Sequence, residues 1–136
     1  MMGIREILSK EGYFINPVVG SSMIPLLRNR EDAVVIKDIN IYISNNGPLQ
    51  KYDVILFEYN NNYILHRIIR IEKDIYITRG DNSRLTEKVS KDQVIGVMCG
   101  FFRNNIYIKT TNLLYKCISR FIVYMHFVVN KRSKSF

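Results

Sequence analysis

The spacing of apolar residues along the chain predicts one short helix followed by a series of strands. Near the start, Ile4, Ile7 and Leu8 follow the i, i+3, i+4 spacing of a one-sided helix, and Gly12 is a residue type that ends helices. We therefore predict a short N-terminal helix over 4–9. Further along the chain, the apolar residues come in short runs rich in Ile, Val, Tyr and Phe, which favours extended strands.

Seven runs of this kind predict extended segments, because turn-forming Asn, Asp and Gly residues separate most of them. The predicted segments are Tyr13–Val19, Ala33–Lys37, Val54–Tyr59, Tyr63–Ile71, Ile75–Thr78, Val94–Phe102 and Ile106–Lys109. Short strands joined by short turns are typical of a small β-sandwich or β-barrel. A helix bundle is disfavoured, because Ala, the strongest helix former, occurs only at position 33. We expect a compact, mainly β domain.

The pattern changes again near the C-terminus. The segment 112–129 is apolar but is interrupted by Lys116 and Arg120, one helical turn apart, so it falls short of the roughly 18–20 apolar residues that span a bilayer. Two interpretations stay open for it. It is either an amphipathic helix lying in the headgroup region of an anionic membrane or a helix docked on the domain with a frayed basic end.

Positive charge is concentrated in the same region. The chain has 20 Lys and Arg against 12 Asp and Glu, and from Arg103 onward it has seven basic residues and no acidic one. This asymmetry indicates an anionic partner for that end. We therefore divide the chain into a β domain over 1–111 and a basic amphipathic C-terminal segment over 112–136. Because Met1–Gly12 carries four charged residues and no apolar signal-peptide core, we expect a cytoplasmic protein, with peripheral attachment to the inner membrane face left open.

The candidate catalytic groups are a few hydroxyl, imidazole and carboxylate side chains. A serine hydrolase needs a nucleophile, a base and a group that orients the base. His66 is the better candidate base of the two His residues, because it lies in an apolar strand where partial desolvation favours the neutral imidazole. Taken alone, such a His is more commonly structural. Two Cys, Cys99 and Cys117, are too few for a disulfide framework or a four-thiolate metal site.

Two turn-like segments supply the other candidate groups. In Gly20-Ser21-Ser22-Met23-Ile24-Pro25, the hydroxyls lie on a constrained bend, and the N–H of a nucleophilic Ser there is available to a developing oxyanion. In the segment 78–87, Asp81 and Glu87 flank a polar loop after a strand, and either carboxylate is able to orient an imidazole. By itself, each segment is also an ordinary turn sequence.

Taken in order, these segments resemble the signal peptidase I superfamily, which also contains the LexA-type self-cleaving repressors. The resemblance covers about residues 18–102 and is carried by an ordered set of short motifs. The motifs are Ser22-Met23-Ile24-Pro25, Lys51-Tyr52-Asp53-Val54-Ile55-Leu56-Phe57, Ile64-Leu65-His66-Arg67-Ile68, Arg79-Gly80-Asp81-Asn82 and Val94-Ile95-Gly96-Val97.

The resemblance implies a role for each candidate residue. Ser22 matches the nucleophile, and His66 matches the general base, as in the endoplasmic-reticulum, archaeal and sporulation-type branch, where His is followed by Arg. An acidic residue assists the His in that branch, and both Asp81 and Glu87 fall where one is expected. At position 20, where many signal peptidases have a hydroxyl that helps the oxyanion hole, this chain has Gly. Backbone donors, with Ser21, would then bind the oxyanion.

The function implied by the resemblance is that of a serine endopeptidase acting on a peptide or precursor protein, with no metal or cofactor. The substrate would lie extended beside an edge strand, with small side chains in shallow pockets. Met23, Tyr52 and Phe57 are the candidate lining residues, although core packing is the favoured use of Tyr52 and Phe57. The alternative is a catalytically inactive peptide-binding module of the same fold.

Two departures from the family narrow the implied function. Signal peptidases carry a membrane-spanning helix before the nucleophile, whereas only 21 partly polar residues precede Ser22 in this sequence. We therefore expect processing of a peptide at the inner membrane face rather than cleavage of secretory signals.

A third interpretation, a self-cleaving regulator, is disfavoured because the repressors use Lys where this chain has His66 and cut beside an Ala or Cys that the N-terminal arm lacks. We accordingly expect no nucleic-acid partner.

Overall fold

Three α-helices and eight β-strands make up the part of the chain that the computed structural model describes, residues 3–18 and 20–133, with side chains described as far as Val129. In chain order, these elements are α1 (Ile4–Glu11), β1 (Tyr13–Pro17), β2 (Asp32–Asp38), α2 (Ile39–Asn46), β3 (Val54–Tyr59), β4 (Asn62–Glu72), β5 (Ile75–Arg79), β6 (Thr86–Ser90), β7 (Val94–Arg103), β8 (Ile106–Lys109) and α3 (Leu113–Ser133). A single 3-10 turn at Lys91–Gln93 leads into β7.

All eight strands belong to one antiparallel sheet. Its order is β1-β2-β7-β3-β4-β5-β6, and β8 pairs with the second half of β7. The sheet is open, with β1 and β6 at its edges, and does not close into a barrel. The predicted mainly β fold with a helix at each end is confirmed.

Apolar side chains fill both faces of the sheet. Along β3, Val54 and Leu56 belong to one buried cluster, whereas Ile55 and Phe57 belong to another, because successive residues of a strand point to opposite faces. Leu8 of α1 contributes to the first cluster. Central strands are therefore covered on both faces, which accounts for their continuous apolar runs.

The N-terminal helix forms as predicted and extends two residues further than expected. Leu8 is its buried residue. Gly12 ends the helix with a left-handed backbone (φ 84°), and its N–H donates to the Leu8 carbonyl. The predicted extended segment Tyr13–Val19 forms a strand only as far as Pro17, and Val19 lies outside the described residues.

Two elements were not predicted from the sequence. Helix α2 begins directly after β2, where the Asp38 carboxylate accepts hydrogen bonds from the N–H groups of Asn40 and Ile41. Strand β6 pairs with β5 along its whole length, from Thr86 opposite Arg79 to Ser90 opposite Ile75. Because β6 carries Glu87, a strand that the sequence pattern did not predict contributes a residue to the candidate site.

Helix α3 packs on the domain through buried side chains, Tyr115 and Ser119 among them. Its first turn is capped by Asn112, whose side-chain oxygen accepts a hydrogen bond from the Tyr115 N–H. The described part of α3 therefore lies against the domain, and attachment of this segment to a membrane stays a prediction. In the described part of the chain, no helix has both the length and the apolar character needed to cross a membrane. The basic tail predicted around Lys131, Arg132 and Lys134 lies beyond the described side chains.

Candidate active site

Three separate elements carry Ser22, His66 and Glu87, of which Ser22 and His66 line one groove and Glu87 contacts His66. Ser22 lies in the loop between β1 and β2, His66 lies on β4, and Glu87 lies on the edge strand β6. Positions 22 and 66 are remote in the chain, and the loop that follows β5 brings them together.

His66 is held by a direct contact with Glu87. Its Nδ1 lies 2.7 Å from Glu87 Oε1, and the Thr78 hydroxyl donates to the same oxygen over 2.8 Å. An ionised carboxylate can only accept hydrogen bonds, so when a neutral imidazole faces an ionised Glu87 the ring proton lies on Nδ1. The neutral imidazole then keeps a free electron pair on Nε2, as a general base requires.

Strand register explains why these three side chains meet. Thr78 lies opposite Glu87 in the β5–β6 pair and opposite Ile68 in the β4–β5 pair. His66 lies two residues from Ile68 and therefore points to the same face of the sheet. Thr78 was not predicted as a partner of Glu87, because their pairing depends on β6, which the sequence pattern did not predict.

Nε2 of His66 faces the Ser22 segment across Gly80. A Cβ atom built on Gly80 would lie 2.9 Å from His66 Nε2, 3.1 Å from Ser22 Cβ and 2.7 Å from the Ser22 carbonyl oxygen. Ser22 and the imidazole therefore flank the same small space. Any side chain at position 80 would enter this space, which explains the need for glycine there.

The residues after Gly80 fix the Ser22 segment in place. The Asn82 N–H donates to the Ser22 carbonyl over 2.7 Å, and the Asn82 side-chain amide donates to the Ser21 carbonyl over 3.1 Å. The Asp81 N–H lies 3.4 Å from the sulfur of Met23. Contacts from the segment Gly80-Asp81-Asn82 thus hold the candidate nucleophile in position.

The loop that carries Ser22 is also anchored at both of its ends. Gly20 adopts a positive φ of 102°, and its N–H donates to the Asn29 side chain. At the other end, the buried Asp32 carboxylate binds the Arg103 guanidinium and the Arg28 N–H. Burial acts to raise the pKa of Asp32, but these hydrogen bonds outweigh burial and lower the pKa below its ordinary value.

Asp81, the second candidate carboxylate, binds Arg67 and not His66. Both of its oxygens accept hydrogen bonds of 2.8 Å from the fully buried guanidinium. Burial acts to lower the pKa of Arg67, but the bonds and the charge of Asp81 reverse this effect and raise it. Because His66 and Arg67 are consecutive in β4, they point to opposite faces, and their carboxylate partners are separated accordingly.

A groove of about 440 Å³ opens beside Ser22 and His66. Its walls are mainly apolar and come from β1, β2, β3 and β4. Of the candidate binding residues, Gly20 and Met23 line it, whereas within the described residues Ser21, Tyr52 and Phe57 do not. Phe57 is instead fully buried in the core, where its ring and the His66 ring form a T-shaped pair with centroids 6.3 Å apart.

The groove runs beside a strand segment that is paired on one side only. Within the described residues, 62–66 of β4 pair with β3, and the pairing of β4 with β5 begins at Arg67. The N–H and C=O groups on the other side of this segment are therefore available to an added strand. His66 stands at the end of that free edge.

The described side chains include no group of three or more His, Cys, Asp and Glu arranged to hold a metal ion. No protein-family model matches the chain, and no curated protein matches it. The chemistry assigned to this site therefore depends on the arrangement of Ser22, His66 and Glu87 and on the motifs that resemble the signal peptidase I superfamily.

Proposed function

We propose that the protein is a serine endopeptidase in which Ser22 is the nucleophile, His66 the general base and Glu87 the residue that orients His66. The single observation that carries this proposal is the contact between His66 Nδ1 and Glu87, which leaves the other ring nitrogen, Nε2, next to Gly80 and close to the Ser22 segment. Nucleophile, base and orienting acid in this relation form the arrangement by which serine hydrolases cleave acyl bonds.

The reaction proceeds in two balanced halves. The Ser22 oxygen bonds to the peptide carbonyl carbon while its proton moves to His66 Nε2, and the resulting imidazolium gives that proton to the leaving amine as the C–N bond breaks. Water then attacks the acyl-enzyme ester, again losing a proton to His66, and Ser22 is regenerated. Glu87 stabilises the imidazolium that forms in each half.

The backbone of Ser22 is suited to bind the oxyanion. Among the described residues no hydrogen-bond partner is found for its N–H, which we propose as the donor to the charge that develops on the carbonyl oxygen. The N–H of Gly20, by contrast, already donates to Asn29. We therefore assign to Gly20 the role of shaping the loop, and to the Ser22 N–H the role of donating a hydrogen bond to the oxyanion.

The groove and the free edge of 62–66 suit an extended peptide. Main-chain hydrogen bonds to this edge would align the peptide toward His66, and apolar side chains of the peptide would enter the groove beside Met23. The resemblance to signal peptidases implies small side chains next to the scissile bond. A peptide or an unfolded segment of a precursor protein is therefore the substrate class that we propose.

Incubation with a diverse mixture of synthetic peptides, followed by mass spectrometry of the products, tests this function. We expect cleavage at a restricted set of sites by the native chain and by the control variant Ser21→Ala. Ser22→Ala should produce no cleavage while keeping its thermal unfolding temperature. Unchanged cleavage by Ser22→Ala would contradict the proposal, and binding of peptides without cleavage by the native chain would favour the inactive peptide-binding module.

A further inference from the structure

Helix α3 exposes a broad apolar face that reaches the clefts on both sides of its contact with the domain. The helix docks through Tyr115 and Ser119, whereas Phe121 and Tyr124 leave 61% and 62% of their surface exposed. We define the outer face of α3 as Leu114, Ile118, Phe121, Tyr124 and Met125, all of which are exposed. At 100° per residue these positions cover an arc of about 120°, wider than the stripe of a two-helix seam. Exposed apolar surface of this extent indicates an interaction site.

Basic residues lie along one side of this face. Lys116 and Arg120 are exposed and one turn apart on α3, and the chain has no acidic residue after position 103. A groove of about 370 Å³ separates this side of α3 from β4 and β5. Its basic lining residues are Lys51, Arg70, Arg79 and Arg120.

The lining of this basic groove favours an anionic ligand. It includes four cationic side chains and no carboxylate, although Arg70 also pairs with the nearby exposed Glu72. Arg120 stacks on the ring of Tyr52, with its guanidinium carbon 4.8 Å from the ring centroid. Tyr124 lines the groove and belongs to the outer face, so the cationic and apolar regions are continuous.

Among anionic partners, a phospholipid surface fits both regions at once. A nucleic acid would engage the cations but would leave Phe121 and Met125 in water. A second copy packed through the same face would bring two basic rows together with no acidic residue of either helix to offset them. An anionic bilayer offers phosphate groups at the level of the basic groove and acyl chains to the apolar side chains.

We infer that the outer face of α3, together with the basic groove, binds the surface of an anionic phospholipid membrane. The helix lies parallel to the membrane, its apolar side chains enter the boundary between headgroups and acyl chains, and Lys51, Arg79 and Arg120 bind the phosphates. This inference is independent of the proposed peptidase activity, because it uses neither Ser22 nor His66.

Flotation of the full chain with lipid vesicles tests the inference. We expect the protein to float with vesicles of phosphatidylcholine mixed with phosphatidylglycerol, and to float much less with phosphatidylcholine alone or at high salt. Phe121→Ser should weaken binding by about tenfold or more, because a large apolar side chain is lost from the membrane boundary. Ile106→Ser, which removes an apolar side chain of similar exposure (64%) on β8, is the matched control and should bind as the native chain does.

A second pair of variants tests the basic groove. The double variant Lys51→Gln/Arg120→Gln should lose about tenfold or more in affinity for the anionic vesicles, since each basic residue near such a surface contributes a several-fold effect. Lys10→Gln/Lys88→Gln removes two exposed charges elsewhere and should have little effect. With folding verified by circular dichroism, undiminished flotation of Phe121→Ser, absence of flotation by the native chain, or a dimer that Phe121→Ser dissociates would each overturn the inference.

Discussion

Two consecutive residues of β4, His66 and Arg67, each pair with a carboxylate, and the two pairs have different surroundings. Arg67 and Asp81 form the sealed pair, with 0% and 2% of their side chains exposed, whereas His66 and Glu87 form the open pair, with 12% and 10% exposed and with His66 lining the groove. Arg67 bonds both oxygens of its partner, whereas the imidazole bonds one oxygen of Glu87 and keeps Nε2 free for another group. One strand thus supplies a structural ion pair on one face and a chemically available base on the other.

The Arg67–Asp81 pair supports the candidate site through the residue that follows Asp81. Asp81 is fixed by Arg67, and its neighbour Asn82 donates to the carbonyls of Ser21 and Ser22. The position of the candidate nucleophile therefore depends on a salt bridge that does not touch it. We expect variants of the open pair to alter mainly chemistry, and variants of the sealed pair to alter mainly stability and, through Asn82, the position of Ser22.

The largest effect should come from Glu87→Gln. The amide keeps the size of the carboxylate but cannot stabilise the imidazolium or fix the tautomer, so kcat/KM should fall by about 10³–10⁴-fold. The free energy of unfolding should change far less, as measured by urea denaturation. A variant that keeps near-native activity would remove Glu87 from the mechanism and return Asp81 to consideration.

The next largest effect should come from breaking the sealed pair. Arg67→Met leaves the Asp81 carboxylate buried without its partner, which should lower the free energy of unfolding by about 3–5 kcal/mol. The double variant Arg67→Met/Asp81→Leu should recover much of that loss, because it removes both charges together. Equal urea midpoints for Arg67→Met and the native chain would show that the pair has no structural role.

A smaller effect is expected at Gly80. In Gly80→Ala the added methyl group would enter the space between Ser22 and His66, and the required shift should lower kcat by about 10²-fold. Gly3→Ala is the control, because the corresponding position there has no atom within 4 Å. If Gly80→Ala cleaves peptides at the native rate, then Ser22 and His66 do not act across this space.

The smallest effect concerns the dependence of stability on pH. Because the folded-state pKa of Asp32 is lowered, its ionisation stabilises the protein above the ordinary value of 3.8, and this contribution is lost as pH falls through the lowered pKa. Asp32→Asn should therefore lose about 1–3 kcal/mol at neutral pH. Thermal melts at several pH values should show the difference from the native chain narrowing below about pH 4. A difference that is constant with pH would contradict this assignment.

The sequence predicted the elements whose apolar pattern is clear and missed those stabilised by polar groups. Helix α2 is rich in Ile and Asn, and its signals are the capping carboxylate of Asp38 and the final Gly47. Strand β6 buries Glu87 and Val89, so one of its two inward positions is a carboxylate and no apolar alternation is visible. Periodicity alone cannot identify a strand of this kind.

The candidate site was predictable in its residue types but not in its pairing. His66 could be named from local sequence as the better candidate base, and Ser22 was assigned as the nucleophile through the resemblance, whereas the choice between Asp81 and Glu87 depends on tertiary packing. Strand alternation indicates that His66 and Arg67 point to opposite faces, but only the register of β5 with β6 brings Glu87 to the side of His66. The pairing of His66 with Glu87 therefore depends on residues of three strands, β4, β5 and β6.

Activation of the Ser22 hydroxyl is the central claim, and labelling by a serine-reactive fluorophosphonate measures it most directly. Intact-protein mass spectrometry and peptide mapping should find a single adduct on Ser22 in the native chain and in Ser21→Ala, with none in Ser22→Ala and much slower labelling in His66→Ala. Failure of the folded native chain to react, or a labelling rate that His66→Ala leaves unchanged, would contradict the account.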